Sequence, residues 1–256
     1  MSLAGVPPSD PGHAPAGSIR ARGLACQYGR QAILQGVDFE LCPPQTVAIV
    51  GVNGAGKSSF IKLLLGLLPV AAGTAVIDGH DLTSAAARAG LAFLPERFLP
   101  PQHLTGREFL RLARRIYRAP RDSACEAQLL AALDLEAAVL ERRVGALSKG
   151  MAQKLGLVAV LCSGRPLLVL DEPFSGLDPL ARAALLAALS AHRASGGSLL
   201  YTTHALADVP RLAERLLLLH AGRVLFDGTP AALCAAMGCA DLESAWLACL
   251  QGAVEA

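Results

Sequence analysis

Charge is scarce in this chain of 256 residues: only 17% are Asp, Glu, Lys or Arg, and the formal net charge is +2. So even a balance leaves no electrostatic footprint for an anionic membrane or for nucleic acid, and no nucleic-acid partner is expected. Long hydrophobic runs are missing as well. The longest uncharged apolar stretch, residues 63–77, is too short to span a bilayer and is interrupted by Gly66, Pro69 and Gly73. The chain is not expected to cross a membrane by itself. No C-x-x-C pair occurs among the cysteines at 26, 42, 125, 162, 234, 239 and 249, so free thiols, several of them buried, in a reducing compartment are the expectation. His13, His80, His103, His192 and His220 show no metal-ligand spacing. There is no internal repeat. Residues 1–18 are rich in Pro, Gly and Ser, without a basic start or an apolar signal core, and read as a disordered tail.

What the chain has in quantity is apolar residues, 53% of the total. That supports a substantial core in one large domain, or in one domain with an inserted lobe, and leaves apolar surface for a partner to cover. Residues 19–50 alternate polar and apolar with breaks at Gly29-Arg30 and Cys42-Pro43-Pro44, which predicts two or three short strands. A further strand is expected over 73–79. From about 105 to 162 the spacing turns helical, most clearly over 107–117 and 126–140. Strand and helix then alternate: a strand at 167–170, a helix at 179–192, a strand at 198–202 and a hairpin at 216–226 turning at His220-Ala221-Gly222. The pattern is α/β, a parallel core split by a helical insertion.

The most informative stretch is Gly51-Val52-Asn53-Gly54-Ala55-Gly56-Lys57-Ser58-Ser59. It follows the apolar run 46–50 and leads into the helical run 60–65, the strand–turn–helix context that the pattern G-x-x-x-x-G-K-[ST] requires. Glycines let backbone N–H groups point inward, and the new helix adds its positive end, so the segment forms a nest for a polyphosphate. Lys57 is placed to reach the terminal phosphates and Ser58 to ligate magnesium. The strand at 167–170 ends in Asp171-Glu172-Pro173. In a parallel sheet its carboxyl end faces the same crevice as the glycine loop. Asp171 is then positioned to hold magnesium, and Glu172 to orient and deprotonate an attacking water. His204 closes another strand; a strand-end histidine serves either a loop carbonyl or, following the Asp-Glu pair, a γ-phosphate.

Leu147-Ser148-Lys149-Gly150-Met151-Ala152-Gln153-Lys154 narrows the choice. With this segment between the glycine loop and Asp171, the chain resembles the nucleotide-binding subunits of ATP-binding-cassette (ABC) transporters, in particular the branch of drug, sodium and antibiotic exporters. The resemblance runs from about residue 19 to 233. It implies a P-loop NTPase (RecA-like) parallel-sheet core with an N-terminal antiparallel β subdomain and an inserted α-helical subdomain. The boundaries it implies are an ATPase domain over 19–237, an insertion over about 103–162 and a short C-terminal helix within 238–256. It further implies ATP and Mg2+ as cofactors. Tyr28 matches the aromatic that stacks on adenine, and Gly51, Asn53, Gly54, Ala55, Gly56, Lys57, Ser58 and Ser59 match the phosphate loop. Glu172 matches the catalytic base and His204 the switch histidine. Asp178 belongs to the loop Ser175-Gly176-Leu177-Asp178-Pro179. Glu96 stands where most of the family carry glutamine, so the metal set is Ser58, Asp171 and Glu96, a carboxylate being an oxygen ligand too. Ser148, Lys149 and Gly150 match the signature segment, in which a capped helix end aims positive charge at the γ-phosphate held by a neighbouring subunit. Whether Lys149 meets phosphate or solvent is left open.

The implied machine is a dimer, with a second copy or a paralogous ATPase subunit, that closes around two ATP molecules. It drives a separate membrane-spanning permease subunit from the cytoplasmic side of the inner or plasma membrane, in the direction of export. Phe98, Leu99, Pro100 and Pro101 are either contacts to that partner or internal packing. The alternative is a non-transport cytosolic ABC-type ATPase acting on ribosomes or DNA. Such factors usually carry two cassettes or a long coiled-coil insertion, and neither is present here. A P-loop kinase or GTPase is disfavoured by the Ser148 segment and by the lack of an N-K-x-D motif.

Overall fold

A computed structural model describes residues 15–29 and 31–255. The expectation of a tail over 1–18 therefore lies outside the described residues as far as residue 14, and so does Arg30 of the first expected turn. From residue 17 the chain is tied down, because the Asp78 carboxylate accepts from the backbone N–H groups of Gly17 and Ser18 at 2.7 and 3.0 Å.

The first sheet is antiparallel, in the order β2-β1-β4-β5. Its strands are β1 (Ile19–Tyr28), β2 (Gln31–Leu41), β4 (Ala72–Ile77) and β5 (His80–Asp81). β1 and β2 are long strands rather than the short ones expected. The second sheet runs β10-β9-β3-β8-β7-β6. It consists of β3 (Thr46–Val50), β6 (Leu91–Leu94), β7 (Leu167–Asp171), β8 (Ser198–Thr203), β9 (Arg215–His220) and β10 (Arg223–Gly228). Its pairings are parallel except for the β9–β10 hairpin at one edge.

β3 and β8 are buried at every position, and this suits their apolar runs, Val47 to Val50 and Leu199 to Tyr201. Val47 and Ile49 point into a core shared with α1 (Lys57–Leu64) and the first sheet, where Phe39 meets Phe60 edge-on at 5.4 Å. Ala48 and Val50 point the other way, into a core shared with the helices. Those helices are α2 (Gly106–Tyr117), α3 (Ser123–Ala132), α4 (Lys149–Leu161), α5 (Pro179–Ala194), the short α6 (Val209–Leu212), α7 (Pro230–Met237) and α8 (Leu242–Glu255). Arg215 links the two sheets by donating to the Glu40 carbonyl while paired with Asp227.

Between β6 and β7 the chain is helical, as the spacing indicates, but the run expected over 126–140 is two pieces. α3 stops at Ala132, Asp134 turns left-handed at φ 52°, and a 3-10 turn follows over Ala137–Glu141. The apolar spacing continues across the break because both pieces bury leucines, Leu130 and Leu140, in one core. α2 begins with a reciprocal cap: Thr105 Oγ1 accepts from the Glu108 N–H, and Glu108 accepts from the Thr105 N–H. Phe98 packs inward against Phe109, whereas Leu99 is 82% exposed. All seven cysteines are free thiols, but only Cys26 is fully buried; Cys42 is exposed and the rest are half-buried. No single helix among the described residues is long and apolar enough to cross a membrane.

His192, near the end of α5, donates through Nε2 to the Ser198 carbonyl at 3.3 Å and lies against Gly197, where a Cβ would come within 2.2 Å of the ring. Burial holds its pKa below the ordinary histidine value. The unfolded chain then takes up the proton more readily, so this site costs stability as pH falls through about 6.5. His192→Gln keeps a donor toward Ser198 and is expected to flatten the loss of denaturation midpoint between pH 7.5 and 5. An unchanged slope would count against this assignment.

Candidate active site

β3 ends at Val50 and the chain turns sharply through 51–56 into α1. Gly51 is required by close approach, since a Cβ there would stand 2.3 Å from the Leu219 carbonyl oxygen. Gly56 is required by conformation, with φ at 107° as the residue that caps α1. No side chain caps this helix and its first turn contains no acidic residue. Its free N–H groups and positive end therefore face open space, ready for an anion.

Lys57 is only 7% exposed. Its ammonium group folds back onto the loop, donating to the carbonyls of Gly51 and Val52 at 2.8 and 3.2 Å, and lies 3.7 Å from Glu172 Oε1. The other carboxylate oxygen, Oε2, is 2.9 Å from His204 Nδ1. A carboxylate only accepts, so Nδ1 carries the proton and Nε2 is left facing outward. Glu172 itself adopts φ 51°, a left-handed conformation that costs a non-glycine residue about 1–3 kcal/mol.

Thr202 holds that conformation in place. Its hydroxyl accepts from the Glu172 N–H at 2.9 Å and donates to Asp171 Oδ1 at 2.6 Å. Ser58 Oγ donates to the same Asp171 oxygen at 3.1 Å. The loop after Glu172 is pinned from below, where Phe174 packs edge-on against buried Tyr201 with ring centroids 6.1 Å apart. Nothing in the sequence marked Thr202, which follows the apolar run Leu199 to Tyr201 near the end of β8. The register that sets it opposite Asp171 is the only signal, and it belongs to the folded sheet.

These groups line one open cavity of about 540 Å³, which takes in Asn53, Gly54, Lys57, Ser58, Glu96, Glu172 and His204. Gly56, Ser59, Gln31 and Ser175 also border it. Ala55 is buried behind the loop, where its N–H closes a turn onto the Val52 carbonyl. Tyr28 is not part of the wall. It stands 82% exposed at the end of β1, paired in register with Gln31, which does border the cavity.

For magnesium, the donors at hand are the Ser58 hydroxyl and the Asp171 carboxylate, already converging, with Glu96 on the cavity wall. All are hard oxygen donors. Among the described residues no three His, Cys, Asp or Glu side chains form a cage. That suits an ion that keeps its waters and binds largely through substrate phosphate. The residues present fit the group.

Ser148, Lys149, Gly150 and Asp178 are not brought to this cavity. Ser148 caps α4 by accepting from the Met151 N–H at 3.2 Å, and Ser148 and Lys149 are exposed. Gly150 faces the turn at Gly176, whose carbonyl oxygen would be 4.0 Å from an added Cβ. Asp178 caps α5 by accepting from the Ala181 N–H at 2.9 Å and pairs with Lys154 at 3.0 Å. The Ala181 N–H first, and then Lys154, hold its carboxyl below the usual carboxylate range. Lys154, the last residue of the motif that begins at Leu147, thus ties the Ser148 helix to the loop of Asp178.

Known proteins resemble the chain in sequence and in shape. A model of the ABC transporter family matches residues 34–175. Nod factor export ATP-binding protein I of Burkholderia orbicola (strain AU 1054) is 35% identical over 232 residues, 88% of this chain and 75% of the relative. The ABC-type transporter ATP-binding protein EcsA of Bacillus subtilis (strain 168) is 32% identical over 217 residues, 82% of this chain and 87% of the relative. A solved structure of an ATP-binding subunit of an ABC transporter superposes with a TM-score of 0.83 at 34% identity, covering 91% of this chain and 99% of the other. With phosphate loop, paired carboxylates and signature segment all in place, the chain belongs to the ABC transporter family as one of its ATP-binding, ATP-hydrolysing members.

Proposed function

We propose that this chain powers export through a separate membrane-spanning permease, working as a dimer with a second copy or a paralogous subunit on the cytoplasmic side of the membrane. The names of the Nod factor export and EcsA relatives support the transport role. In this reading residues 19–237 form the ATPase domain, 103–162 its helical insertion and 238–256 a C-terminal helix. The observation that carries the chemistry is the hold on Glu172 by Thr202, Lys57 and His204 at the cavity wall.

Two anions compete for the Lys57 ammonium: the Glu172 carboxylate, now 3.7 Å away, and the incoming phosphates. Phosphate binding turns Lys57 outward and frees Glu172 Oε1 to accept a proton from water. The water oxygen attacks the γ-phosphorus, the bond to the ADP oxygen breaks, and ADP leaves with that electron pair. The proton passes from Glu172 to solvent. His204 donates from Nδ1 to Oε2 throughout, so that Oε1 stays aimed at the cavity. Magnesium, when bound, neutralises phosphate charge, and Ser58 and Asp171, with Glu96 beside them, are the residues that would hold it. Tyr28 offers an exposed ring for adenine.

Within one chain the signature residues Ser148, Lys149 and Gly150 stand apart from the cavity they are meant to serve. A second chain that brings its own Ser148 segment over the phosphates completes the site, with the α4 helix end facing the γ-phosphate. ATP then favours the closed dimer because it bonds both chains, and hydrolysis removes that bridge. Asp178 takes part through Lys154 and its cap on α5, moving with the Ser148 helix.

Two variants test this chemistry. Glu172→Gln removes both the base and the anion that competes for Lys57. It is expected to bind ATP several-fold more tightly, to lose turnover by about 100-fold or more, and to elute as an ATP-dependent dimer in size-exclusion chromatography. Wild-type turnover would remove Glu172 from the role of base. Thr202→Val keeps the shape of the side chain but loses both hydrogen bonds, so kcat is expected to fall about 10–100-fold with ATP affinity nearly unchanged. Thr202→Ser, which restores the hydroxyl, should recover most of it. Equal loss in both variants would assign Thr202 to packing alone.

A further inference from the structure

We propose that Cys125 and Cys162 form a thiol–disulfide site, which a small disulfide such as oxidised glutathione converts into an intramolecular bond locking α3 to the end of α4. Cys125 lies in the first turn of α3, and Cys162 is the residue that ends α4. They are 37 positions apart in sequence, yet their sulfurs sit 3.0 Å from each other. That is inside the ~3.5–4.0 Å at which non-bonded heavy atoms find their optimum. Both thiols are unbonded and half-buried, so they are accessible enough to react.

The surroundings set the order of events. Burial first, and then the neighbouring Cys125 thiol, push the Cys162 thiol well above its ordinary range, and the carboxylates of Glu126 and Asp122 add to this. Cys162 therefore stays protonated at neutral pH, and Cys125 meets the oxidant. The Cys125 thiolate, having released its proton to solvent, attacks one sulfur of glutathione disulfide. A Cys125–glutathione disulfide forms and one glutathione thiolate leaves. Cys162 then gives its proton to solvent and attacks the Cys125 sulfur, expelling the second glutathione. Two protein thiols are oxidised to one disulfide, and one glutathione disulfide is reduced to two glutathiones.

The consequence falls on the helix that presents Ser148. α4 begins at the Ser148 cap and ends at Cys162, so the bond fastens its far end to α3 without touching the cavity residues. The proposal does not depend on how the nucleotide site works.

The test uses the full chain, folded, exposed for hours to oxidised glutathione at neutral pH. Free thiols are then alkylated and the protein is digested with trypsin without reduction. The expected product is the peptide of residues 122–142 joined to the peptide that begins at Leu155. Cys162→Ser should instead keep glutathione on Cys125. The oxidised wild type should melt roughly 5–10 °C higher than the reduced form, a shift that dithiothreitol reverses. Three results would overturn the proposal: alkyl label on both cysteines, a lasting glutathione adduct on Cys125 in the wild type, or either cysteine bonded to another one. None of these readings of the wild type depends on a variant folding.

Discussion

The parallel register of β3, β7 and β8 is the constraint on which the rest of this site depends. Asp171 lies level with Thr202, and Val50 level with Thr203, so the three strands finish at one height along the sheet. The phosphate loop, the paired carboxylates and His204 all begin where those strands stop. Side chains alternate along a strand, so a slip of one residue would turn the Thr202 hydroxyl to the opposite face, away from Asp171. The register is secured by burial on both faces, one set of residues packing on α1 and the first sheet, the other on the helices. Two cores, one on each side, thus hold a few polar groups within hydrogen-bond reach of one another.

Those groups are held under load. Glu172 keeps a left-handed backbone, and its carboxylate is shared between a buried ammonium and an imidazole. A buried pair of this kind gains little net stability after desolvation, and each partner is left costly if the other departs. In such a site an incoming phosphate does more than fill space. As proposed above, it would offer Lys57 a better partner and leave Glu172 with an unsatisfied oxygen for a water to fill. In the proposed mechanism, binding of substrate and readiness of Glu172 as the base are joined through one lysine.

Much of this was legible in the chain. The turn at 51–59 announces itself because glycine is the residue that tolerates both the approach of Leu219 and the conformation at Gly56. β7 reads as a buried strand ending in two carboxylates, and the β9–β10 hairpin turns where His220-Ala221-Gly222 indicates. What stayed hidden depends on partners distant in sequence. Thr202 looks like one more strand residue until Asp171 is set beside it. Lys154 pairs with a loop aspartate 24 positions away. The contact of Cys125 with Cys162 needs the packing of α3 on α4. The break at Asp134 escaped because leucines on both sides of it face the same core, so the spacing never lapses.

In the proposed reading the chain, taken alone, presents half of a hydrolytic site and, elsewhere on its surface, the capped helix end that would complete the other half for a neighbour. Complementation tests this most directly. Lys57→Ala disables the phosphate loop, and Ser148→Arg disables the signature, so each variant alone should be inactive. Mixed in equal amounts, they form dimers in which one site joins an intact Lys57 to an intact Ser148. With random pairing, turnover should recover to roughly a quarter of the wild-type value. If the mixture stays as inactive as its components, the site is not shared between chains and the account fails.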